Sequence, residues 1–374
     1  MNVIVAGDLC PSPRNYHLFH GDNAELILGR ELYSEWTSAD YRIINLETTL
    51  TDFDTPIYKR GPALRAPTSA ITGIKALNPQ LVCTANNHIF DHGESGYLST
   101  IKLLDEYGIP YVGSGENLRQ SAIPYIIEGE RRVGVYACAD HEFTIAKERA
   151  PGANPYDPLS SFDHIFELKK RSDYVIVLYH GLKEYYRYPT PYTRRVCQKM
   201  ADKGADVIIL QHSHCIGCYE EYNGTVIVYG QGNFIFGDRT DEYTDNSLLI
   251  KLGLKEKLSV DYIPIIKTES TTRLASSYES EIIIKEFESR SEQILENGFI
   301  DNEFGTFCKD YYAYYSGNIL RHPGWLIKLN QISGGKLIKF YRDRKLLLFL
   351  RNILTCDAHR ELFLKILDSE IDKW

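Results

Sequence analysis

Asp8, Glu47, Asn87, His88, His180, His212 and His214 are the residues of this 374-residue chain best suited to chemistry. Each closes or directly follows a short apolar run: "NVIVAGD", "YRIINLE", "QLVCTANNH", "DYVIVLYH" and "DVIILQHSH". Carboxylates, an amide and neutral imidazoles together suit one or two divalent ions. Mn, Fe or Zn match this donor set better than they would a thiolate-rich one. Two such ions, roughly 3.5–4 Å apart, clamp the attacking and leaving oxygens of a phosphate ester, and a carboxylate such as Asp8 would bridge them. A histidine beside the ions but not bound to them can protonate the leaving group. Any one of these residues alone would read as a cap or a surface group. Five run ends that all carry ligand chemistry point to a site.

The elements that must position them follow from the pattern. Through residue 250, strand-like runs alternate with helical segments, which predicts an α/β fold. In such sheets ligands bind beyond the C-terminal strand ends, where these residues fall. "ESGYLSTIKLLDEYG" predicts a helix with Tyr97, Ile101, Leu104 and Tyr107 on one face, stopping at Gly108. "TRRVCQKMADKGA" predicts another, and "YIIEGERRVGVYACAD" a hairpin. His212 and His214 are expected to project together from one strand end, because i and i+2 share a face. Asn86 reads as a turn residue, His92 as solvent-facing, and Asp91 either as a helix cap or as part of the site. Near residue 270 the texture changes. "STTRLASSYESE" is loop-like, 279–297 a charged helix, and 302–374 alternates apolar and basic groups at helical periods. The expected division is 1–270 for the α/β domain and 271–374 for an α-helical C-terminal region.

Composition bounds the function. Hydrophobic residues make up 43% and charged residues 25%, as in an ordinary globular protein. A net charge of −8 argues against a nucleic-acid partner held on a broad basic face. Tyrosine is frequent, at 27 residues, and reads as packing with a polar tip. The N-terminus shows no signal-peptide pattern, and no apolar run reaches the roughly 18 residues of a membrane span. The eight cysteines sit mostly in apolar runs. A reduced, cytoplasmic protein is the expectation. Cys215 and Cys218 form a C-x-x-C with no second pair and read as ordinary buried thiols. "KLIKFYRDRKLLLFLRN" reads as an amphipathic helix packed on the protein, with peripheral contact to anionic lipid as the alternative.

The stretches "GDLCPS", "NLETTLT", "TANNHIFDHGESGYLSTIKLLDEYGIPYVGSGEN" and "YHGLKEYYRYPTPYTRRVCQKMADKGADVIILQHSHCIGCYEEYNGTVIVYGQGNFIF" resemble the CapA (poly-γ-glutamate capsule synthesis) family of the calcineurin-like metallophosphoesterase superfamily. The resemblance covers roughly residues 1–250. It implies a metallophosphatase-like two-sheet sandwich flanked by helices, and a metal-dependent hydrolase, phosphoesterase-like, serving capsule or other surface-polymer synthesis. The substrate would be an anionic small molecule or polymer. It implies Asp8, Glu47, Asn87, His180, His212 and His214 as metal ligands, with Asp8 bridging, and His88 as the acid. Asp91 would orient His88 or bind substrate, and Arg65, Glu184 and Asn233 match further positions, Arg65 as an anion contact. Cys10 stands where superfamily phosphatases carry a histidine, which leaves one or two metals open. Two alternatives stand beside the hydrolase: a non-catalytic accessory component of a polymer-synthesis assembly, and amide or acyl-phosphate chemistry on poly-γ-glutamate.

Overall fold

Side-chain alternation along the first strand already sorts the core into layers. In the computed structural model, which describes residues 1–237, 241–319, 324–333, 344–355 and isolated positions after them, the strand Asn2–Cys10 sends Val3 and Val5 to one face and Ile4 and Ala6 to the other. Val3 and Val5 pack with Val135, Ile176, Leu178 and Ile209 of a second sheet. Ile4 and Ala6 pack with Leu28, Leu32 and Trp36 of the helix Ala24–Thr37. A third cluster joins Val177, Ile208 and Leu210 to Leu168 of the helix Ser161–Lys169 and Met200 of the helix Pro191–Asp202. The layers therefore run helices, sheet, sheet, helices, the two-sheet sandwich that the family resemblance implies.

In the eight-stranded sheet, Asn2–Cys10 is central. Tyr41–Leu46, Leu81–Cys83 and Tyr111–Val112 run parallel beyond it, and Asn246–Leu254, Leu258–Lys267 and Thr272–Leu274 add antiparallel on its other side. The short strand Asn233–Phe236 pairs in parallel with its C-terminal end. In the six-stranded sheet, Val133–Ala139, Tyr174–His180, Val207–Gln211 and Thr225–Gln231 are parallel, with antiparallel edges Tyr125–Ile127 and Ile216–Tyr222. The predicted hairpin is the pair Tyr125–Ile127 and Val133–Ala139. In the helix Gly93–Glu106, Tyr97 and Leu104 are buried, but Tyr107, expected on the same face, is 38% exposed because the helix has ended before it.

The first compact unit is Met1–Ile300 and the second Asp301–Trp374, so the boundary lies later than residue 270. The reason is the helix Ser277–Gln293. Ser276 and Glu279 form a capping box at its start, inside the stretch that looks loop-like in sequence. Its Ile283 and Phe287 join the core between the sheets, and Phe287 meets the rings of Tyr219 and Tyr262 at 5.1 and 4.9 Å. Phe287→Ala is expected to cost about 3–5 kcal/mol in a denaturant titration. Tyr278→Ala, on the exposed side of the same helix, should stay within about 0.5 kcal/mol of the parent. The second unit is helical where described, and residues 336–343 of "KLIKFYRDRKLLLFLRN" lie outside the described residues. Among the described residues no helix is long and apolar enough to cross a membrane.

Candidate metal centre

The C-terminal ends of the parallel strands from both sheets meet in one buried cluster. Asp8 is nearly at the end of its strand, paired in register with Asn45 on one side and Asn233 on the other. Gly7 allows this crowding, since a Cβ there would lie 2.0 Å from the Gly232 carbonyl oxygen. Glu47 follows the second strand, its N–H donating to the Leu9 carbonyl at 2.9 Å. Asn87 and His88 sit in the turn after Leu81–Cys83, and His180 is the last residue of Tyr174–His180. His212 and His214 lie beyond Val207–Gln211 with φ of 83° and 57°. Their convergence is thus made by a left-handed turn and not by strand alternation. For non-glycine residues that backbone costs of order 1–3 kcal/mol each, which the surrounding contacts must offset.

Among the described residues two sets of donor atoms lie close enough to hold an ion: Glu47, His180 and His212 in one, Asp8, Glu47 and His214 in the other. Glu47 is common to both, whereas Asp8, the expected bridge, is in one. His180 Nε2 is 3.0 Å from Asn87 Oδ1, 3.1 Å from His212 Nδ1 and 3.3 Å from Glu47 Oε1. A single ring N–H could satisfy only one of these lone-pair donors. Their spacing is close to the ~3.3 Å edge of a tetrahedron with metal–ligand bonds of about 2.0–2.1 Å. On the other side His214 Nδ1 is 3.5 Å from Asp8 Oδ2 and 2.9 Å from Asn233 Oδ1. Both Glu47 carboxylate oxygens are fully buried and have no hydrogen-bond partner among the described residues. Buried carboxylates are otherwise paired or hydrogen-bonded, so a cation fits this position. The residues present therefore suit a divalent ion.

Electrostatics agree. Burial drives the Glu47 pKa well above the usual carboxylate range, and the charges of Asp8, Glu184 and Asp91 add to it. Burial also opposes ionisation of Asp8, but the hydrogen bond with His214, the charges of His180 and His214, and the Asn45 amide bring its pKa below the usual range. Burial pushes the His180 imidazole down to about 3, and His212 falls well below its ordinary value through burial and the neighbouring His180 and His214. Both rings are therefore neutral near neutral pH, the form in which an imidazole can bind a metal. For His214 burial is outweighed by Asp8, and its pKa rises.

His88 stands apart from both donor sets. Asp91 Oδ2 holds its Nδ1 at 2.5 Å, and its Nε2 is 3.8 Å from Glu47 Oε1. Of the two readings of Asp91, the geometry favours orientation of His88: the helix is capped at His92, and Asp91 also accepts from the Leu64 N–H at 2.6 Å. Asn86 is the turn residue expected, donating to Asn45 Oδ1 and the Leu46 carbonyl and accepting from the His88 N–H. Glu184 is half-buried in the loop after His180, near enough for its charge to raise Glu47 and His214. Arg65 does not reach the donor cluster. Its guanidinium donates to the Asp52 carbonyl at 3.1 Å and lies 3.9 Å from Asp54, beside a neighbouring cavity. His92, expected at the surface, is only 2% exposed, because the loop 51–64 folds over it and donates the Thr55 N–H to its Nδ1 at 3.1 Å. Cys215 and Cys218 are buried thiols outside both donor sets, with pKa values raised by burial.

Two residues escaped the sequence reading. Asn45 Nδ2 is 2.7 Å from Asp8 Oδ1 and 3.1 Å from His180 Nδ1, so it ties the two sheets together beneath the donors. Its signal was present: Ile43, Asn45 and Glu47 share a face, and a polar residue continues a core stripe. The Lys59 side chain is almost fully buried, ion-paired with Asp91 and 3.2 Å from His88 Nδ1. It lies in a proline- and glycine-bearing loop with no periodicity to announce it.

Comparison with known proteins adds the following. The family model described as "Bacterial capsule synthesis protein PGA_cap" matches residues 2–238. The chain is 33% identical over 202 residues to "PGA biosynthesis protein CapA" of Bacillus subtilis (strain 168), covering 52% of each chain. It is 29% identical over 252 residues to "Capsule biosynthesis protein CapA" of Bacillus anthracis, covering 64% of this chain and 61% of that one. It is 29% identical over 216 residues to a "Probable polyglutamine synthesis accessory protein" of Mycobacterium tuberculosis, covering 54% and 57%. The chain thus spans about half to three-fifths of the length of these curated relatives. Among solved structures, a novel phosphatase from Mycoplasma pneumoniae superposes with a TM-score of 0.44 at 12% identity, over 72% of this chain and 94% of that one. A 5'-nucleotidase from Candida albicans SC5314 gives 0.41 at 12% identity, over 70% and 51%.

Proposed function

This chain belongs to the bacterial capsule synthesis protein PGA_cap family, and on that premise we propose that it is a metal-dependent hydrolase, a phosphoesterase acting on an anionic small molecule or polymer in capsule or related surface-polymer synthesis. The observation that carries the reading is Glu47, which belongs to both donor sets and whose two buried carboxylate oxygens have no hydrogen-bond partner among the described residues. Asp8, Glu47, Asn87, His180, His212 and His214 would hold one or two divalent ions, Mn, Fe or Zn. Such an ion supplies Lewis acidity toward a phosphoryl oxygen and neutralises charge where it develops.

The chain's own groups do the rest. Asn45 and Asn233 fix Asp8, His180 and His214 in place by the contacts above. His88 presents Nε2 to the cluster and donates a proton to the departing oxygen. Asp91 accepts from Nδ1, which sets the ring's orientation and stabilises its cationic form, and Lys59 pins Asp91 in turn. The burial of the cluster limits the reacting groups to individual water molecules, one of which would add to phosphorus as the bond to the departing oxygen breaks, its released proton offsetting the one that His88 gives up. The test is turnover by protein reconstituted separately with Mn, Fe and Zn. Hydrolysis of p-nitrophenyl phosphate or its bis-ester is the expected result. No phosphoester turnover with any of the three, alongside cleavage of γ-glutamyl-p-nitroanilide, would replace the phosphoester by an amide.

A further inference from the structure

A cavity of about 520 Å³ opens between the helix Gly93–Glu106 and the edge strand of the eight-stranded sheet, Tyr111–Val112. Its lining shares no residue with either donor set. The deep part of that lining is buried and consists of Tyr97, Val112 and Ser114. Ile101 and Pro124 extend it as half-buried wall, and Asp105, Glu116 and Gln120 stand exposed at the mouth. The loop that carries Glu116 is fixed in place. The Glu116 N–H donates to Gln120 Oε1 at 3.2 Å, and Asn117 Oδ1 accepts the Gln120 N–H at 3.0 Å.

The lining carries two carboxylates and no lysine, arginine or histidine. Among the described residues neither Asp105 nor Glu116 has an ion-pair partner; Lys102, on the same helix as Asp105, is paired instead with Glu106 at 3.6 Å. Both carboxylates act on the same two phenols. Burial raises the Tyr97 pKa to about 12 and pushes that of Tyr111 up, and the charges of Asp105 and Glu116 add to both rises. The deep hydroxyls are already engaged. Tyr97 donates to Ser114 Oγ at 3.5 Å, and Ser114 Oγ is 2.8 Å from Thr84 Oγ1. The depth therefore offers ring and aliphatic surface, and the mouth offers negative charge. A polyol would leave its hydroxyls unpaired against that depth, and an anion would meet two like charges. The edge strand has two residues, too short a ladder to seat an added peptide strand. A cation on an apolar body suits both ends of the cavity.

We propose that this cavity is a binding site for a small organic cation, an ammonium group carried on an apolar body. The body packs on Tyr97, Ile101 and Val112, and the ammonium is held by Asp105, Glu116 and the Tyr111 ring. The site is additional to the metal centre and does not rest on the hydrolase reading.

The test is calorimetric titration of the full chain with phenethylamine, with its neutral isostere 2-phenylethanol and with the anionic 3-phenylpropanoate, at low and at physiological salt. Saturable binding of the amine is expected, weaker at the higher salt, with the alcohol about tenfold weaker and the carboxylate weaker still. Asp105→Asn, Glu116→Gln and Tyr111→Leu should each weaken the amine about two- to fivefold, and the Asp105→Asn/Glu116→Gln pair about tenfold. Thermal melts confirm that each variant is folded. The inference is overturned if the amine does not bind saturably, if the alcohol or the carboxylate binds as tightly, or if the paired variant binds the amine as the parent does. Mn uptake in the same samples reports on the metal centre alone, so the two readings fail separately.

Discussion

Glu47→Gln is expected to remove stoichiometric metal binding and to cut turnover by more than the roughly 10–100-fold that loss of a mere outer-shell partner costs. The amide is isosteric, so the packing of the cluster is kept while the charge is lost. No other residue belongs to both donor sets. The same substitution should leave the metal-free chain no less stable. Burial, Asp8, Glu184 and Asp91 all raise the Glu47 pKa in the folded protein. A raised carboxyl pKa means the folded chain holds that proton more tightly than the unfolded one. Stability from this group is then fully present below the unfolded value, about 4.3, and is lost as pH climbs through the raised folded value. Metal-free parent protein should therefore lose stability over that rise in pH, and the Gln variant should lack this component of the slope. Metal restores it in the parent by neutralising the carboxylate. Because His214 also has a raised pKa, metal uptake should release protons, and apparent affinity should fall as the solution is made more acidic. Melting curves at stepped pH, with and without Mn, check both signs.

His88→Ala is expected to reduce turnover by about 10²–10⁴-fold while leaving metal content unchanged. The two effects separate because His88 touches the cluster only through Nε2, 3.8 Å from Glu47, and is held from behind by Asp91 and Lys59. The loss should shrink for substrates whose leaving group needs no proton, so p-nitrophenyl esters should suffer less than alkyl esters. It should also remove the limb of the pH–rate profile that reports the acid. If His88→Ala instead sheds metal in step with activity, His88 is a ligand and the acid must be sought elsewhere.

Much of the site was legible because strand ends are written plainly in sequence. An apolar run that stops on Asp, Glu, Asn or His marks both the end of a strand and the sheet edge where ligands collect. Asp8, Glu47, Asn87, His180, His212 and His214 were found that way, and the structure brings all six together. What stayed hidden has physical reasons. Lys59 and the orientation of His92 depend on the loop 51–64 folding across the turn 87–92, a long-range event with no periodic signature. The carboxylate shared by the donor sets is Glu47 rather than Asp8, a matter of angstroms that spacing along a chain does not encode. His212 and His214 converge through positive φ, a conformation that residue type does not announce for histidine. The helix Ser277–Gln293 extends the first unit because its apolar face happens to fit the rings of Tyr219 and Tyr262, which composition cannot show.

The most direct measurement is metal stoichiometry. Elemental analysis and calorimetric titration of the purified full chain with Mn, Fe and Zn should give one to two tightly bound ions per chain, lost together in a folded His212→Ala/His214→Ala variant. Absence of stoichiometric binding for all three ions at neutral pH would contradict the account.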